Sequence, residues 1–176
     1  MRYKRIHILG PAGCGKSFIA AKLSERYGIP VYDLDDLFWD NRAGGYGVMA
    51  PAEERDEALE NIIEQETWIV EGAYCRWVFR SFEEADIVIL LTTPRWLYEW
   101  RVLKRFAKRK LGLIPSKKKE SFPALWRLLK WNHKYETDSL PFARRFLGVL
   151  DRKLVECRTL EDVIRVLENG TGTDSR

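Results

Sequence analysis

The stretch Gly10-Pro-Ala-Gly-Cys-Gly-Lys-Ser17 decides the fold, because it fits the pattern GxxxxGK[ST] at every fixed position. The apolar segment Tyr3–Leu9 precedes it, and apolar residues at helical spacing follow it from Lys16 to Tyr27. Glycines permit a turn in which successive N–H groups point inward, and the helix adds the positive end of its dipole. The sequence therefore predicts a strand, an anion-binding loop and a helix in direct succession.

Apolar runs and helical patterns alternate along the rest of the chain. We expect strands at Tyr3–Leu9, Pro30–Leu34, Trp68–Val70, Asp86–Leu91 and Lys153–Cys157. We expect helices at Lys16–Tyr27, Ala52–Gln65, Pro94–Arg109, Phe122–Lys134, Leu140–Val149 and Leu160–Leu167. Short apolar strands separated by helices indicate a parallel sheet covered on both faces, with ligands at the carboxyl ends of the strands. Residues 1–168 are predicted to form one domain, and residues 169–176 a disordered tail.

Composition and the lengths of apolar runs limit the class of protein and its cellular location. Hydrophobic residues make up 45% and charged residues 32% of the 176 residues, as in a globular protein. The longest aliphatic run, Ile87–Leu91, is far too short to cross a membrane, and Ile6–Leu9 is too short for the core of a signal peptide. We therefore expect a cytoplasmic protein that has no membrane partner and is a monomer or a homodimer.

Charge is distributed unevenly, although the net charge is only +4. The segment Tyr32–Glu66 contains 11 acidic and 2 basic residues, whereas Arg95–Tyr135 contains 13 Lys plus Arg and 2 Glu. Such asymmetry suggests a site with metal or hydroxyl groups on one side and anions on the other. Solvated helix faces are the alternative.

The glycine-rich loop supplies the candidate nucleotide contacts. Lys16 is expected to reach the β and γ phosphates of ATP, and the Ser17 hydroxyl to ligate Mg²⁺. The predicted nucleotide-binding residues are Gly10, Pro11, Ala12, Gly13, Cys14, Gly15, Lys16, Ser17 and Phe18.

Acidic residues follow two other predicted strands. Asp35 is the candidate to accept the proton of an attacking hydroxyl, and Asp36 is expected at the start of a helix. Trp39 is a candidate wall of an acceptor pocket, with core packing as the alternative. Glu71 ends the third strand and is the candidate second Mg²⁺ ligand. Asp86 begins a strand, at the opposite edge of a parallel sheet, and is predicted to be structural.

Arginines supply candidate anion contacts. Arg76 and Arg80, four residues apart, are predicted to share a helix face and bind a phosphate or carboxylate of the acceptor; surface pairing with glutamates is the alternative. Arg101 and Arg105 lie on a basic stripe that leads into a mobile insert at Lys110–Pro123, within a lid at about residues 101–135. We expect both to neutralise a transferred phosphoryl group, with a solvated face as the alternative.

Four tryptophans, Trp96, Trp100, Trp126 and Trp131, interleave with this basic region. Packing against the insert is expected for most of them. A nucleic-acid surface is the alternative, because aromatic rings stack on bases while cations hold phosphates. It predicts salt-sensitive binding that is weakened by substituting Lys117, Lys118 and Lys119.

Several motifs in order carry a family resemblance: GPAGCGKS, DLDDLFW, IVEGAY followed by Arg80, ADIVILLTTP and RVLKRFAKR. Together they resemble the P-loop small-molecule kinases related to adenylate kinase, and within these the adenylate-kinase-like proteins of the DNA topology modulation group. The resemblance runs from about Tyr3 to Leu167. It implies the three-layer α/β sandwich of P-loop NTPases, with a five-stranded parallel sheet of order 2-3-1-4-5 and a helical lid.

The same resemblance implies a function: ATP-dependent, Mg²⁺-assisted phosphoryl transfer to a small-molecule or nucleotide acceptor. Lys16 and Ser17 match the phosphate-loop and metal positions, Asp35 the acid of the LDxLFW motif, and Glu71 the aspartate of an Asp-Gly pair in adenylate kinases. Those kinases continue with Phe-Pro-Arg, where this chain has Ala-Tyr-Cys-Arg76. The resemblance therefore does not name AMP as the acceptor. An ATP-binding regulator that interacts with nucleic acid is the alternative function.

Overall fold

The structure, a computed structural model, describes residues 2–40, 48–114, 121–149 and 154–170. Its strands are β1 Arg5–Leu9, β2 Val31–Asp33, β3 Trp68–Gly72, β4 Ile87–Leu91 and β5 Leu154–Cys157. Its helices are α1 Lys16–Tyr27, α2 Leu34–Phe38, α3 Ala52–Ile63, α4 Phe79–Glu84, α5 Arg95–Lys110, α6 Phe122–Lys134, α7 Leu140–Val149 and α8 Leu160–Asn169. A π-helical turn, Tyr135–Ser139, joins α6 to α7.

The five strands form one parallel sheet in the order β2-β3-β1-β4-β5, which confirms the predicted fold class. The register pairs Asp33 of β2 with Glu71 of β3, and Glu71 with Ile8 of β1. Because the strands are parallel, their carboxyl ends meet at the edge of the sheet where the glycine-rich loop follows β1. The topology thus brings the predicted loop and the predicted acids together.

Alternating side chains of the strands fill a core on each face of the sheet. Ile6 and Ile8 of β1 pack in a cluster with residues of α1 and α8, such as Leu23 and Val163. Leu9, next along the strand, belongs to the cluster on the opposite face with residues of α3, α4 and α7. Successive strand residues point to opposite faces, so continuous apolar runs are what a doubly covered parallel sheet requires.

Most predicted elements are confirmed, and several have the predicted ends. Helix α1 stops at Gly28, which has φ 70° and donates its N–H to the Ser24 carbonyl at 2.8 Å. The prediction gives no bounds for helices α2 and α4, only a helix start at Asp36 and a helix face with Arg76 and Arg80, because five or six residues carry too little periodicity to be recognised. Residues 115–120 of the predicted insert and 171–176 of the predicted tail lie outside the described residues. Among the helices described, none combines the length and apolar character needed to cross a membrane.

Candidate active site

The loop between β1 and α1 depends on two glycines in the left-handed region. Gly13 has φ 86° and Gly15 has φ 110°, conformations that side chains rarely adopt. A Cβ atom on Gly13 would also lie 2.7 Å from the Tyr98 carbonyl oxygen, so the close packing of α5 on the loop requires glycine there. Positive φ angles at Gly13 and Gly15, two residues apart, turn backbone N–H groups toward one concave surface, which can bind an anion.

Neighbouring elements hold the loop from outside. The Gly10 N–H donates to the Gly72 carbonyl at the end of β3 at 3.3 Å. The Cys14 carbonyl accepts from the buried Thr93 hydroxyl at 3.2 Å and from the Arg101 guanidinium at 3.1 Å. Arg101 of the predicted basic stripe therefore contacts the loop directly.

Lys16 and Ser17 begin α1 and face the acidic edge of the sheet. The Lys16 ammonium donates to the Pro11 carbonyl at 3.1 Å, so the side chain folds back over the loop. The Ser17 hydroxyl donates to a Glu71 carboxylate oxygen. Glu71 is 2% exposed. The two predicted metal ligands are therefore in direct contact.

The acids at this edge sit in a low-dielectric environment. Burial raises the pKa of Glu71, while the Lys16 charge lowers it and the neighbouring Asp33 charge raises it further. Burial also raises the pKa of Asp33, opposed mainly by the hydrogen bond from the Asp35 backbone N–H. A buried carboxylate beside a half-buried one favours the arrival of positive charge.

These residues fit Mg²⁺. A hydroxyl and one carboxylate, from Ser17 and Glu71, provide oxygen ligands. Within the described ranges, no group of three or more His, Cys, Asp or Glu side chains could hold a metal ion on its own. Mg²⁺ ordinarily binds through one or two carboxylates together with water and substrate phosphates, so this sparse ligand set suits an ion that arrives with a nucleotide.

Asp35 stands in the first turn of α2, where Asp33 caps the helix. The Asp33 side chain accepts from the Asp35 N–H at 2.9 Å. The Tyr74 hydroxyl donates to the Asp35 carboxylate at 2.6 Å, which orients that carboxylate. Asp36 is the other first-turn acid, as the sequence predicted.

A cleft of about 570 Å³ lies between the loop, the ends of β2 and β3, and helices α2, α5 and α6. Eight predicted site residues line it: Ala12, Gly13, Lys16, Ser17, Asp35, Trp39, Glu71 and Arg105. The cleft also takes in aromatic and apolar side chains that the prediction did not assign to a site: Tyr74, Met49, Leu128 and Trp131.

Other predicted site residues lie elsewhere. Arg80 makes ion pairs with Glu60, Glu83 and Glu84 at 3.4 to 3.7 Å, the surface pairing given as its alternative. The Arg76 guanidinium lies 4.8 Å from the centre of the Phe142 ring. Neither arginine lines the cleft, and Phe18 is exposed on α1.

The prediction that Arg76 and Arg80 share a helix face is wrong. Helix α4 begins at Phe79, so Arg76 lies before it. The chain from Ala73 to Val78 forms bends and irregular structure rather than helix, so the two arginines do not belong to one helical segment. Asp86, in contrast, is structural as predicted, since its carboxylate accepts from the Lys4 and Arg5 N–H groups at 2.7 and 2.9 Å.

The tryptophans of the basic region differ from the expectation that most would be packed. Trp96, Trp100 and Trp126 are 70%, 58% and 62% exposed. On α5, Trp96 and Trp100 lie on the side away from the buried residues of that helix, with Lys104 and Lys108 beside them at helical spacing. An exposed face that combines aromatic and basic residues is therefore present.

Asn132 is a site residue that the sequence did not reveal. Its fully buried side chain accepts from the Ala12 N–H at 3.2 Å and donates to the Ala12 carbonyl at 3.3 Å. It thereby satisfies both backbone groups of one loop residue from α6. A single asparagine on an amphipathic helix carries no recognisable pattern, and the π-helical turn that follows it has no sequence signature either.

Replacing Asn132 by alanine is expected to destabilise the protein by about 1–3 kcal/mol, because it leaves the two Ala12 groups without their partner. We expect weaker ATP binding as well, since the loop loses a constraint on its shape. Urea unfolding and calorimetric titration with an ATP analogue measure the two effects. Asn61→Ala, an exposed asparagine on α3, is the matched control. Equal behaviour of the two variants would show that the Asn132 contact has no energetic weight.

Comparisons with known proteins agree with this architecture. No protein-family model matches the chain. It is 33% identical over 93 residues to the uncharacterized protein YqaC of Bacillus subtilis (strain 168), covering 52% of this chain and 51% of that protein. It is 36% identical over 93 residues to an adenylate kinase of Mycolicibacterium smegmatis, covering 46% and 51%. The chain therefore spans about half the length of these curated relatives.

Among solved structures, a shikimate kinase from Acinetobacter baumannii in complex with shikimate has the same fold. The two superpose with a TM-score of 0.63 at 13% identity, over 98% of this chain and 97% of that one. The likeness spans nearly the whole of both chains and shows a shared fold.

Proposed function

We propose that this chain is a P-loop kinase that transfers the γ-phosphoryl group of ATP to a hydroxyl group of a small-molecule or nucleotide acceptor. One observation carries the proposal: Lys16 and Ser17 of the loop share a single cleft with the carboxylates of Asp35 and Glu71. A module that only binds nucleotide has little use for a carboxylate like Asp35. The similarity to an adenylate kinase over about half its length and the shared kinase fold support the same class of reaction.

The phosphate end of the cleft would stabilise the charge of the transferred group. Lys16 exchanges its bond to the Pro11 carbonyl for phosphate oxygens, and Arg105 faces the same space. Arg101, held against the loop, adds positive charge nearby. Ser17 and Glu71 would hold Mg²⁺, which supplies Lewis-acid stabilisation when bound. Phosphoryl transfer depends almost entirely on such positioning and charge stabilisation.

Asp35 would handle the proton of the acceptor. As the acceptor oxygen bonds to the γ-phosphorus, the bond from that phosphorus to the bridging oxygen of ADP breaks. The hydroxyl proton passes to the Asp35 carboxylate, which the Tyr74 hydroxyl holds in one orientation. ADP leaves with the electron pair of the broken bond.

The test is transfer of label from γ-labelled ATP to a broad panel of nucleosides, nucleotides and hydroxyl metabolites in the presence of Mg²⁺. The proposal expects labelled product with at least one acceptor. ATP binding accompanied by hydrolysis that no acceptor changes would identify a plain NTPase and overturn it.

The second candidate is an ATP-binding regulator that interacts with nucleic acid, the function that a place in the DNA topology modulation group would imply. The exposed Trp96 and Trp100 beside Lys104 and Lys108 favour it specifically. Bases stack on aromatic rings, and each neutralised phosphate makes binding more sensitive to salt.

For this candidate, Trp96→Ala combined with Trp100→Ala is expected to weaken binding to a single-stranded oligonucleotide by about 1–3 kcal/mol per stacked base. Fluorescence anisotropy over a range of salt concentrations measures it. The corresponding Trp→Phe variants keep a ring for stacking and are the control. No binding at low salt, or equal loss in the Ala and Phe variants, would eliminate the stacking surface.

A further inference from the structure

Helix α5 carries apolar residues on two sides. The inner side holds the three buried residues of the helix: Tyr98, Val102 and Phe106. The other side carries Trp96, Trp100, Leu103 and Ala107, whose spacings of four, three and four residues place them on one helix face. We call these four residues the outer stripe. Trp96, Trp100 and Leu103 are 70%, 58% and 40% exposed, and a contiguous apolar surface of this kind marks an interaction site.

More exposed apolar side chains lie where α5 ends and α6 begins. The Phe122 ring lies 5.3 Å from the Phe106 ring and 4.7 Å from the Lys110 ammonium, so the start of α6 packs against the end of α5. Phe122 and Trp126, one turn apart on α6, are 64% and 62% exposed, and Leu111 is 72% exposed. Of the twelve large apolar side chains that are exposed in the described residues, eight lie between positions 96 and 131. The exposed apolar surface is therefore concentrated on these two helices.

The charge around this surface is almost entirely positive. The described residues 95–114 and 121–134 contain ten Lys plus Arg and one acid, Glu99, which pairs with Arg95 at 2.7 Å. Lys104 and Lys108 lie on one side of the outer stripe at helical spacing, and Lys110 lies toward its other side. A partner of this surface must therefore combine negative charge with an apolar environment.

Few partners meet both requirements. A second copy that used the same surface would bring lysines against lysines. Nucleic acid offers phosphates and base faces to Trp96 and Trp100, but it offers no aliphatic environment to Leu103 and Leu111. At the surface of an anionic bilayer, tryptophan rings lie at the level of the headgroups, leucines reach the acyl chains and lysines neutralise lipid phosphates.

We propose that the outer stripe, together with Leu111, Phe122 and Trp126, docks this protein onto an anionic lipid bilayer. The expectation of no membrane partner came from the lengths of the apolar runs, which bear on crossing a bilayer and not on lying against its surface. Docking therefore agrees with the finding that no described helix could cross one. It does not depend on the proposed kinase function, because none of these docking residues lines the cleft.

Sedimentation with lipid vesicles tests the proposal. Vesicles of phosphatidylglycerol mixed with phosphatidylcholine are compared with vesicles of phosphatidylcholine alone. We expect binding to the anionic vesicles that weakens as salt is added, because ions screen the attraction between lysines and headgroups. We also expect quenching of tryptophan fluorescence by lipids that are brominated on their acyl chains. Absence of binding to the anionic vesicles at low salt, or binding without quenching, would overturn the proposal.

Leu103→Ser measures the apolar contribution. It is expected to lower the partition coefficient onto anionic vesicles about tenfold, the ratio that 1.4 kcal/mol produces. Val48→Ser, at a valine that is 48% exposed and lies outside this surface, is the matched control. Thermal unfolding shows whether each variant is folded, and the quenching measurement needs no variant. Equal partition of the two folded variants would mean that no apolar side chain of the stripe enters the bilayer, which would overturn the proposal.

A pair of lysine substitutions measures the contribution of charge. Lys104→Gln combined with Lys108→Gln is expected to lower the partition coefficient about tenfold or more. The control combines Lys4→Gln with Lys22→Gln, which removes the same net charge from exposed lysines elsewhere. Equal partition of the two double variants would overturn the role of this surface.

A single-stranded oligonucleotide is the competing ligand. If it displaced the protein from the vesicles, and if Leu103→Ser bound it as tightly as Val48→Ser, the surface would belong to nucleic acid. That result would overturn docking onto a bilayer and support the second candidate function.

Discussion

Lys16→Ala is expected to lower kcat for phosphoryl transfer about 10²–10³-fold, the loss that follows removal of one preorganised positive or hydrogen-bonding group from a transition state. Lys16 is the first residue of α1 and lines the cleft. Its ammonium donates a hydrogen bond to the Pro11 carbonyl at 3.1 Å, a contact that phosphate oxygens can replace. The glycine conformations of the loop do not depend on this side chain. We therefore expect the folded structure to persist while transfer is lost.

Lys22→Ala is the matched control for this variant. Lys22 lies on the same helix, is exposed and pairs with Glu25 rather than with the loop. Rates under single-turnover conditions, together with thermal unfolding of both variants, separate chemistry from folding. If Lys16→Ala transferred phosphate as fast as Lys22→Ala, Lys16 of the loop would have no role in the mechanism.

Asp35→Asn is expected to lower kcat about 10²–10⁴-fold, the usual contribution of a positioned general base. Asparagine keeps an oxygen that can accept from the Tyr74 hydroxyl, so the 2.6 Å contact and the start of α2 are preserved. The amide cannot accept the proton of the acceptor. The rate of the chemical step should therefore fall, while ATP binding stays close to that of the unaltered protein.

Asp36→Asn is the control that separates the effect of losing Asp35 at its position from the effect of losing one negative charge. Asp36 stands next to Asp35 in the first turn of α2 and is exposed like Asp35, but it does not line the cleft. Both variants lose one negative charge near the same helix start. Equal rates in the two would mean that Asp35 is not the base.

The sequence was sufficient for those parts of the site that depend on local chemistry and sheet topology. Gly13, Gly15 and Lys16 stand at fixed spacing between an apolar strand and a helix, which leaves little freedom for the loop. Glu71 ends a strand, and parallel pairing then sets it beside Asp33 and opposite Ser17. The spacing of residues in the loop and the parallel pairing of the strands together account for the residues found at this edge of the sheet.

Contacts between distant elements could not be predicted in the same way. Asn132 contacts Ala12, which is 120 positions away in the sequence, and no periodic pattern predicts that contact. Arg76 and Arg80 are four positions apart, but α4 begins only at Phe79, so the two arginines do not share a helix. Exposure of Trp96 likewise depends on which face of α5 the core takes. Tertiary packing decides each of these cases.

The contact of Asn132 with the loop has a thermodynamic consequence for the two ends of the cleft. Trp131, its neighbour in α6, lines the cleft, while Asn132 holds both backbone groups of Ala12. A nucleotide that reshapes the loop would therefore act on the same helix turn that lines the cleft proposed for the acceptor. Such linkage is reciprocal: whatever factor ATP imposes on acceptor affinity, the acceptor imposes on ATP affinity. For the proposed kinase, we expect this helix turn to transmit such coupling.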